Sequence, residues 1–192
     1  MSKKKDKIKS DKESLRICNF CGASDDVPKV FKDEAYALGE FLAKNKMVLV
    51  YGAGSTGLMG ASARGALENK GEVIGVFPDI LKGKEPEQSG LTELIKTTSM
   101  HERKQIMYNR SSAFVIMPGG AGTMDEFWEI FTLKVLGGQD KPIIIYNFMN
   151  YWEPLLKLLQ SFVRHGFARP SVADLFEVVE TREELFKKLK DL

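Results

Sequence analysis

Two glycine-rich stretches and one basic pair carry most of the chemistry this chain could do. The first stretch, YGAGSTGLMG (51–60), follows the apolar run MVLVY. The second, PGGAGTMDE (118–126), follows AFVIM. Glycines allow sharp turns and close backbone approach. A helix beginning there adds free N–H groups and the positive end of its dipole. Each stretch is therefore a candidate phosphate cradle. Glu126 is the acid in the second. If Thr123 caps the helix, Glu126 is its third residue and the pair forms a capping box. The same carboxylate would also reach the crevice beside an anion, with Glu129 and Thr132 along the same helix side. Arg103 and Lys104 stand one turn into a helix opened by Ser99. At the same sheet edge, a guanidinium there is a plausible ligand for a phosphate or a purine.

The elements that must position these groups alternate. LRICNF (15–20), MVLVY (47–51), VIGVF (73–77), ELIKTT (93–98), AFVIM (113–117), PIIIY (142–146) and FEVVE (176–180) read as strands, several apolar throughout. Such runs suit strands buried on both faces. Helical spacing follows in Val30, Phe31, Ala35, Leu38, Phe41 and Leu42, then in 57–70 up to Gly71, and in about 124–136, where Phe127, Trp128, Phe131 and Leu133 read as core. Ser99 with Glu102, Asn150 with Glu153 and Thr181 with Glu184 read as helix-opening pairs, and the helix opened by Asn150 ends near Gly166. The stretch 79–92 is polar and loop-like. The fold class is α/β, a single Rossmann-like doubly wound domain over 14–192, mostly parallel with helices on both faces. Residues 1–13 read as a flexible Lys-rich tail. Ligands of such sheets bind beyond the strands' carboxyl ends, in the loops after Phe20, Tyr51, Phe77, Thr98 and Met117.

Several classes are excluded or disfavoured. The formal net charge of +2 comes from the first twelve residues, which hold six Lys against two Asp, so the body does not suit nucleic acid. No apolar run approaches a membrane span, and no apolar stretch follows the N-terminal charges as in a secretory signal. A cytoplasmic setting is expected. Neither glycine stretch ends in Gly-Lys-Ser/Thr, so a P-loop is excluded. The first fits only as Gly52-x-Gly54-x-x-Gly57, and Asp79 is the one acid near the end of the next strand, after a proline, which disfavours NAD. Cys18 and Cys21 would point to opposite faces at strand spacing, against metal or redox use.

On PGGAGTMDE together with SMHERK, the chain resembles the LOG family, the cytokinin riboside 5′-monophosphate phosphoribohydrolases, which have also carried the label of lysine decarboxylases. The family pattern P-G-G-x-G-T-x-x-E is matched in full by 118–126, and M-x-x-R-K by Met100, Arg103 and Lys104. Cys21, Gly22 and Ser24 match the family's Cys-Gly-x-Ser, and Gly57–Gly60 its G-L-M-G. The resemblance spans about residues 15–190. It implies a Rossmann-like homodimer that hydrolyses the N-glycosidic bond of a nucleoside 5′-monophosphate, adenine-based with or without an N6 side chain. No cofactor and no metal are expected. It makes Arg103 and Glu126 the catalytic pair. Substrate contacts would fall on Cys21, Gly22, Ser24, Gly54, Glu85, Met100, Lys104, Gly119, Gly120, Ala121, Gly122, Thr123, Met124, Asp125 and Thr132. Ala121 and Asp125 stand where relatives often have Tyr and Glu, and the loop 79–92 departs further. Two other readings compete: a non-catalytic nucleotide or molybdenum-cofactor carrier, and a decarboxylase with a Schiff-base lysine.

Overall fold

A computed structural model describes residues 14–192. The expected tail at 1–13 lies outside the described residues.

The seven expected strands form one parallel sheet: β1 (Arg16–Phe20), β2 (Val48–Tyr51), β3 (Val73–Pro78), β4 (Glu93–Thr97), β5 (Ala113–Ile116), β6 (Ile143–Tyr146) and β7 (Glu177–Val179). Their order is β4-β3-β2-β1-β5-β6-β7. The chain winds outward from the centre to β4, then returns to β5 on the other side of β1. Register pairs Ile17 with Leu49 on one side and with Ala113 on the other.

The helices are α1 (Lys29–Lys44), α2 (Gly57–Glu68), α3 (Met100–Asn109), α4 (Ala121–Val135), α5 (Glu153–Arg164) and α6 (Arg182–Lys190). Right-handed crossovers place helices on opposite faces when the winding direction reverses. One core layer accordingly holds Leu38 of α1, Ala61 of α2 and Leu185 of α6, packed on Ile17, Leu49 and Val115. The other holds Met107 of α3, Phe127 of α4 and Leu155 of α5, packed on Cys18, Val50 and Phe114. Alternate residues of β1 thus serve the two layers, as the strand period requires. Cys18 and Cys21 fall into different layers, as their spacing implied.

The three expected capping pairs have three outcomes. Thr181 and Glu184 do form a complete capping box. Ser99 Oγ accepts from Glu102 N, but the Glu102 carboxylate reaches back to Thr98 N and Oγ1, one residue further than the box requires. Asn150 does not cap α5. It sits in a left-handed turn, while Asn147 Oδ1 accepts from Trp152 N at the start of the helix.

Candidate active site

The reversal between β1 and β5 opens a crevice where the loops after the two central strands diverge. It holds a cavity of about 450 Å³. All five expected loops contribute to its wall: Cys21–Ser24, Val27 and Pro28 after β1; Leu58 and Met59 after β2; Leu81 and Glu85 after β3; Met100 and Arg103 after β4; Pro118–Gly120, Gly122, Thr123 and Glu126 after β5. Phe31 of α1 and Tyr151, beyond β6, complete it.

The two glycine stretches have opposite fates. The amides of the first are taken by the chain itself. Gly57 N donates to Asp25 Oδ1 at 2.8 Å, and Leu58 N to Gly22 O at 2.9 Å. Ser55 N donates to Pro86 O, and Gly54 bridges to Glu87. The carboxylate of Asp25 therefore stands where an anion would bind. The glycines are there for packing. Gly57 adopts φ +56°, and a Cβ on it would lie 2.5 Å from the Ala23 carbonyl carbon. A Cβ on Gly52 would lie 1.8 Å from Arg103 Nη2. The first stretch is thus no phosphate cradle, and Gly54 is not on the cavity wall.

The second stretch is open. Helix α4 starts at Ala121, three residues earlier than expected, with Gly120 as cap residue and no side-chain cap. Thr123 is therefore inside the first turn and forms no capping box with Glu126. Its hydroxyl turns against Gly119, leaving no room for a Cβ there, whereas a Cβ on Gly120 or Gly122 would meet open space. Gly22 N donates to Pro118 O at 3.0 Å, so the loops after β1 and β5 lie backbone against backbone. The result is an uncapped helix N-terminus facing a cavity, a geometry suited to an anion.

Glu126 lies one turn below, with 8% of its surface exposed. Burial pushes its carboxyl up to about 7. Arg103 and Lys104 oppose the rise, while Asp125 and Glu129 add to it. Arg103 is held by two backbone carbonyls: Nε donates to Val76 O at 3.2 Å and Nη2 to Gly52 O at 3.0 Å. The guanidinium is thus pinned at the ends of β2 and β3, with Met100 beside it. Burial also pushes the Cys18 and Cys21 thiols well up, so neither is a ready thiolate.

Lys104 turns elsewhere. Its Nζ lies 2.9 Å from Asp125 Oδ1 and 2.6 Å from Glu129 Oε2. The three residues clamp α3 to α4, one residue from Arg103 on the first helix and from Glu126 on the second. Lys104 and Asp125 thus meet each other rather than the cavity. Ala121, Met124 and Thr132 are not on its wall either. Met124 packs on a core layer, and Thr132 is exposed beside Trp128 and Phe131. Sequence reasoning did not name Ala23, Val27, Pro28, Phe31 or Leu81 as site residues, and it missed Tyr151, which lies beyond the five expected loops altogether. Its one signal is an aromatic pair, Tyr151–Trp152, shortly after the apolar strand β6. Among the described residues, no group of three His, Cys, Asp or Glu is placed to hold a metal ion.

A doubly wound α/β sheet thus brings an open anion turn, a buried carboxyl and a fixed guanidinium into one crevice, the arrangement of an α/β enzyme with its site at the strands' carboxyl ends. The family described as "Possible lysine decarboxylase" matches residues 59–189. The chain is 38% identical over 176 residues to "Probable cytokinin riboside 5′-monophosphate phosphoribohydrolase LOGL2" of Oryza sativa subsp. japonica, covering 92% of this chain and 72% of that protein. It is 36% identical over 176 residues to the cytokinin riboside 5′-monophosphate phosphoribohydrolase LOG3 of Arabidopsis thaliana, covering 92% and 82%. The chain therefore belongs to the LOG family. The same fold occurs in the molybdenum cofactor binding protein of Rippkaea orientalis, with a TM-score of 0.71 at 19% identity over 94% of this chain and 98% of that one.

Proposed function

We propose that this enzyme hydrolyses the N-glycosidic bond of adenosine 5′-monophosphate, N6-substituted or not, to free base and ribose 5-phosphate. The observation that carries this reading is the Glu126 carboxyl, buried in the wall of a cavity that also holds the open N-terminus of α4. The phosphate sits at the Gly119–Thr123 turn and supplies binding energy remote from the bond that breaks. Cleavage of C1′–N9 leaves positive charge on the ribose and negative charge on the base. Glu126, as carboxylate, stabilises the sugar cation and takes a proton from the attacking water, whose oxygen bonds to C1′. The electron pair of the broken bond leaves with the base, which is protonated from solvent. Arg103 offsets the charge on the departing ring. Because its guanidinium is already fixed by Val76 and Gly52, it needs no rearrangement to do so.

A Schiff-base decarboxylase would need a lysine that readily loses its proton. Burial pulls the Lys104 pKa down, but the hydrogen bonds it donates to Glu129 and Asp125 more than offset this, and the net shift is upward. Lys104 therefore serves as a clamp between α3 and α4. Substrate contacts fall instead on Cys21, Gly22, Ser24, Glu85, Met100, Gly119, Gly120, Gly122 and Thr123. A homodimer in the cytoplasm belongs to the same reading. Among the described residues, no helix is long and apolar enough to cross a membrane.

Chromatography of products from AMP, N6-isopentenyl-AMP, GMP, CMP and adenosine tests the reading. Base release is expected from the adenine 5′-monophosphates and not from adenosine. Tight binding of AMP without base release would make the chain a carrier instead.

A further inference from the structure

The anion turn contains a Gly119–Gly120 peptide, and a peptide between two glycines is the least restrained in a chain. For a phosphate to find its N–H groups already aimed, something outside the turn must fix that peptide. Thr123 and the Gly22 backbone crowd the Cα of Gly119 from one side. The carbonyl is held from the other: Tyr151 Oη donates to Gly119 O at 2.8 Å. A trans peptide is planar, so holding its C=O sets the direction of the Gly120 N–H.

Tyr151 is itself held in place. Its ring lies edge-on to Phe31 at 5.9 Å and to Trp152 at 4.8 Å between centroids. Trp152 Nε1 donates to Ile116 O at the end of β5, the strand that leads into the anion turn. The chain reaches Tyr151 through two successive residues with positive φ, Met149 at 54° and Asn150 at 60°. For a methionine that conformation is costly and persists only where the surroundings impose it. The turn after β6 is thus bent so that one hydroxyl meets one carbonyl across the cavity mouth.

We infer that Tyr151 is a positioning residue for phosphate, acting through the Gly119–Gly120 peptide. This rests on the nucleotide reading above. Removing the hydroxyl while keeping the ring leaves the wall in place and frees the peptide to rotate. The damage falls on the phosphate half of the ligand and spares the base half.

The test is Tyr151→Phe in the full chain, with the two products titrated separately by calorimetry. Ribose 5-phosphate is expected to bind roughly three- to tenfold more weakly than to wild type, the scale of one lost hydrogen bond. Adenine affinity is expected to stay within about twofold, and KM for AMP to rise more than kcat falls. Equal ribose 5-phosphate affinity in the two proteins overturns the inference alone. Parallel weakening of both products also overturns it, since a general loosening of the cavity would do that. If wild type binds neither product, the nucleotide reading falls and the inference falls with it.

Discussion

The two glycine stretches look alike in sequence and behave as opposites in the fold. Each follows a buried strand and opens a helix. In the first, the helix N-terminus is closed by Gly22 and Asp25 and the glycines are forced by neighbours. In the second, the N-terminus has no side-chain cap and two of its glycines face empty space. The loop after β1 explains both states. It lies over the first stretch with its carboxylate and carbonyl, and it braces the second through Gly22 N. Glycine count therefore says little about anion binding. What decides it is whether a distant segment has already supplied the acceptor.

The contrast breaks most sharply at the acid beside the open turn. Glu126→Gln is expected to lower kcat on AMP by about two to four orders of magnitude, read as adenine release. It should also stabilise the protein in alkali. The folded carboxyl titrates near 7 against a usual value of 4.5, so its neutral form is favoured by folding. Its contribution is fully present below about pH 4.5 and lost as pH rises through 7. Two and a half pH units correspond to a cost of about 3 kcal/mol above that range. The Gln variant should thus show a higher Tm than wild type at pH 8 and little difference at pH 4.5. An equal or lower Tm at pH 8 would mean that the carboxyl is not buried uncompensated.

Alanine at one glycine of each stretch should then give opposite signs. Gly57→Ala meets positive φ and the Ala23 backbone, and is expected to cost about 2 kcal/mol or more in denaturant melts. Gly122→Ala lies in open space on a helix and is expected to add about 0.5–1 kcal/mol of stability. Its methyl enters the space proposed for the phosphate, so KM for AMP should rise about tenfold or more. Two losses of stability would erase the distinction between the stretches.

Lys104→Met removes the clamp and leaves Asp125 and Glu129 facing Glu126. The groups around that carboxyl are then Arg103, Asp125 and Glu129, with the Cys18 and Cys21 thiols neutral. The acid limb of kcat/KM, expected near pH 7 in wild type with activity rising toward alkali, should move upward, and the plateau should fall about tenfold or less. An unmoved limb would show that Lys104 acts only on stability. The smallest effect is expected at Asp25→Ala. Loss of its contact with Gly57 N should cost about 1 kcal/mol and leave kcat/KM within about threefold.

The architecture was legible because seven strand-like runs, several of them apolar throughout, alternate with helical spacing, the pattern of a parallel sheet. The loops that line the cavity followed from strand ends alone. Local signals failed where a remote residue decides the outcome. Thr123 resembles a helix cap in sequence, yet Ala121 and Gly122 are already helical and Gly120 is the cap residue. Nothing in YGAGSTGLMG announces that Asp25, some thirty positions earlier, fills it. Lys104 resembles a ligand-binding cation until α4 brings Asp125 and Glu129 to it. Tyr151 went unread because its role depends on a left-handed turn that begins at Met149, a residue type that does not signal one, and Asn150 was read instead as a helix cap.

The grip on Arg103 has a consequence for whatever enters the crevice. Its side chain crosses the ends of two neighbouring strands and gives a hydrogen bond to each region, at Val76 and at Gly52. That wall is finished before any visitor arrives, and a lysine, with a single donor head, could not span it. Any adjustment to the shape of a ligand must then come from other parts of the wall, such as Val27, Pro28 and Phe31 on a separate stretch of chain.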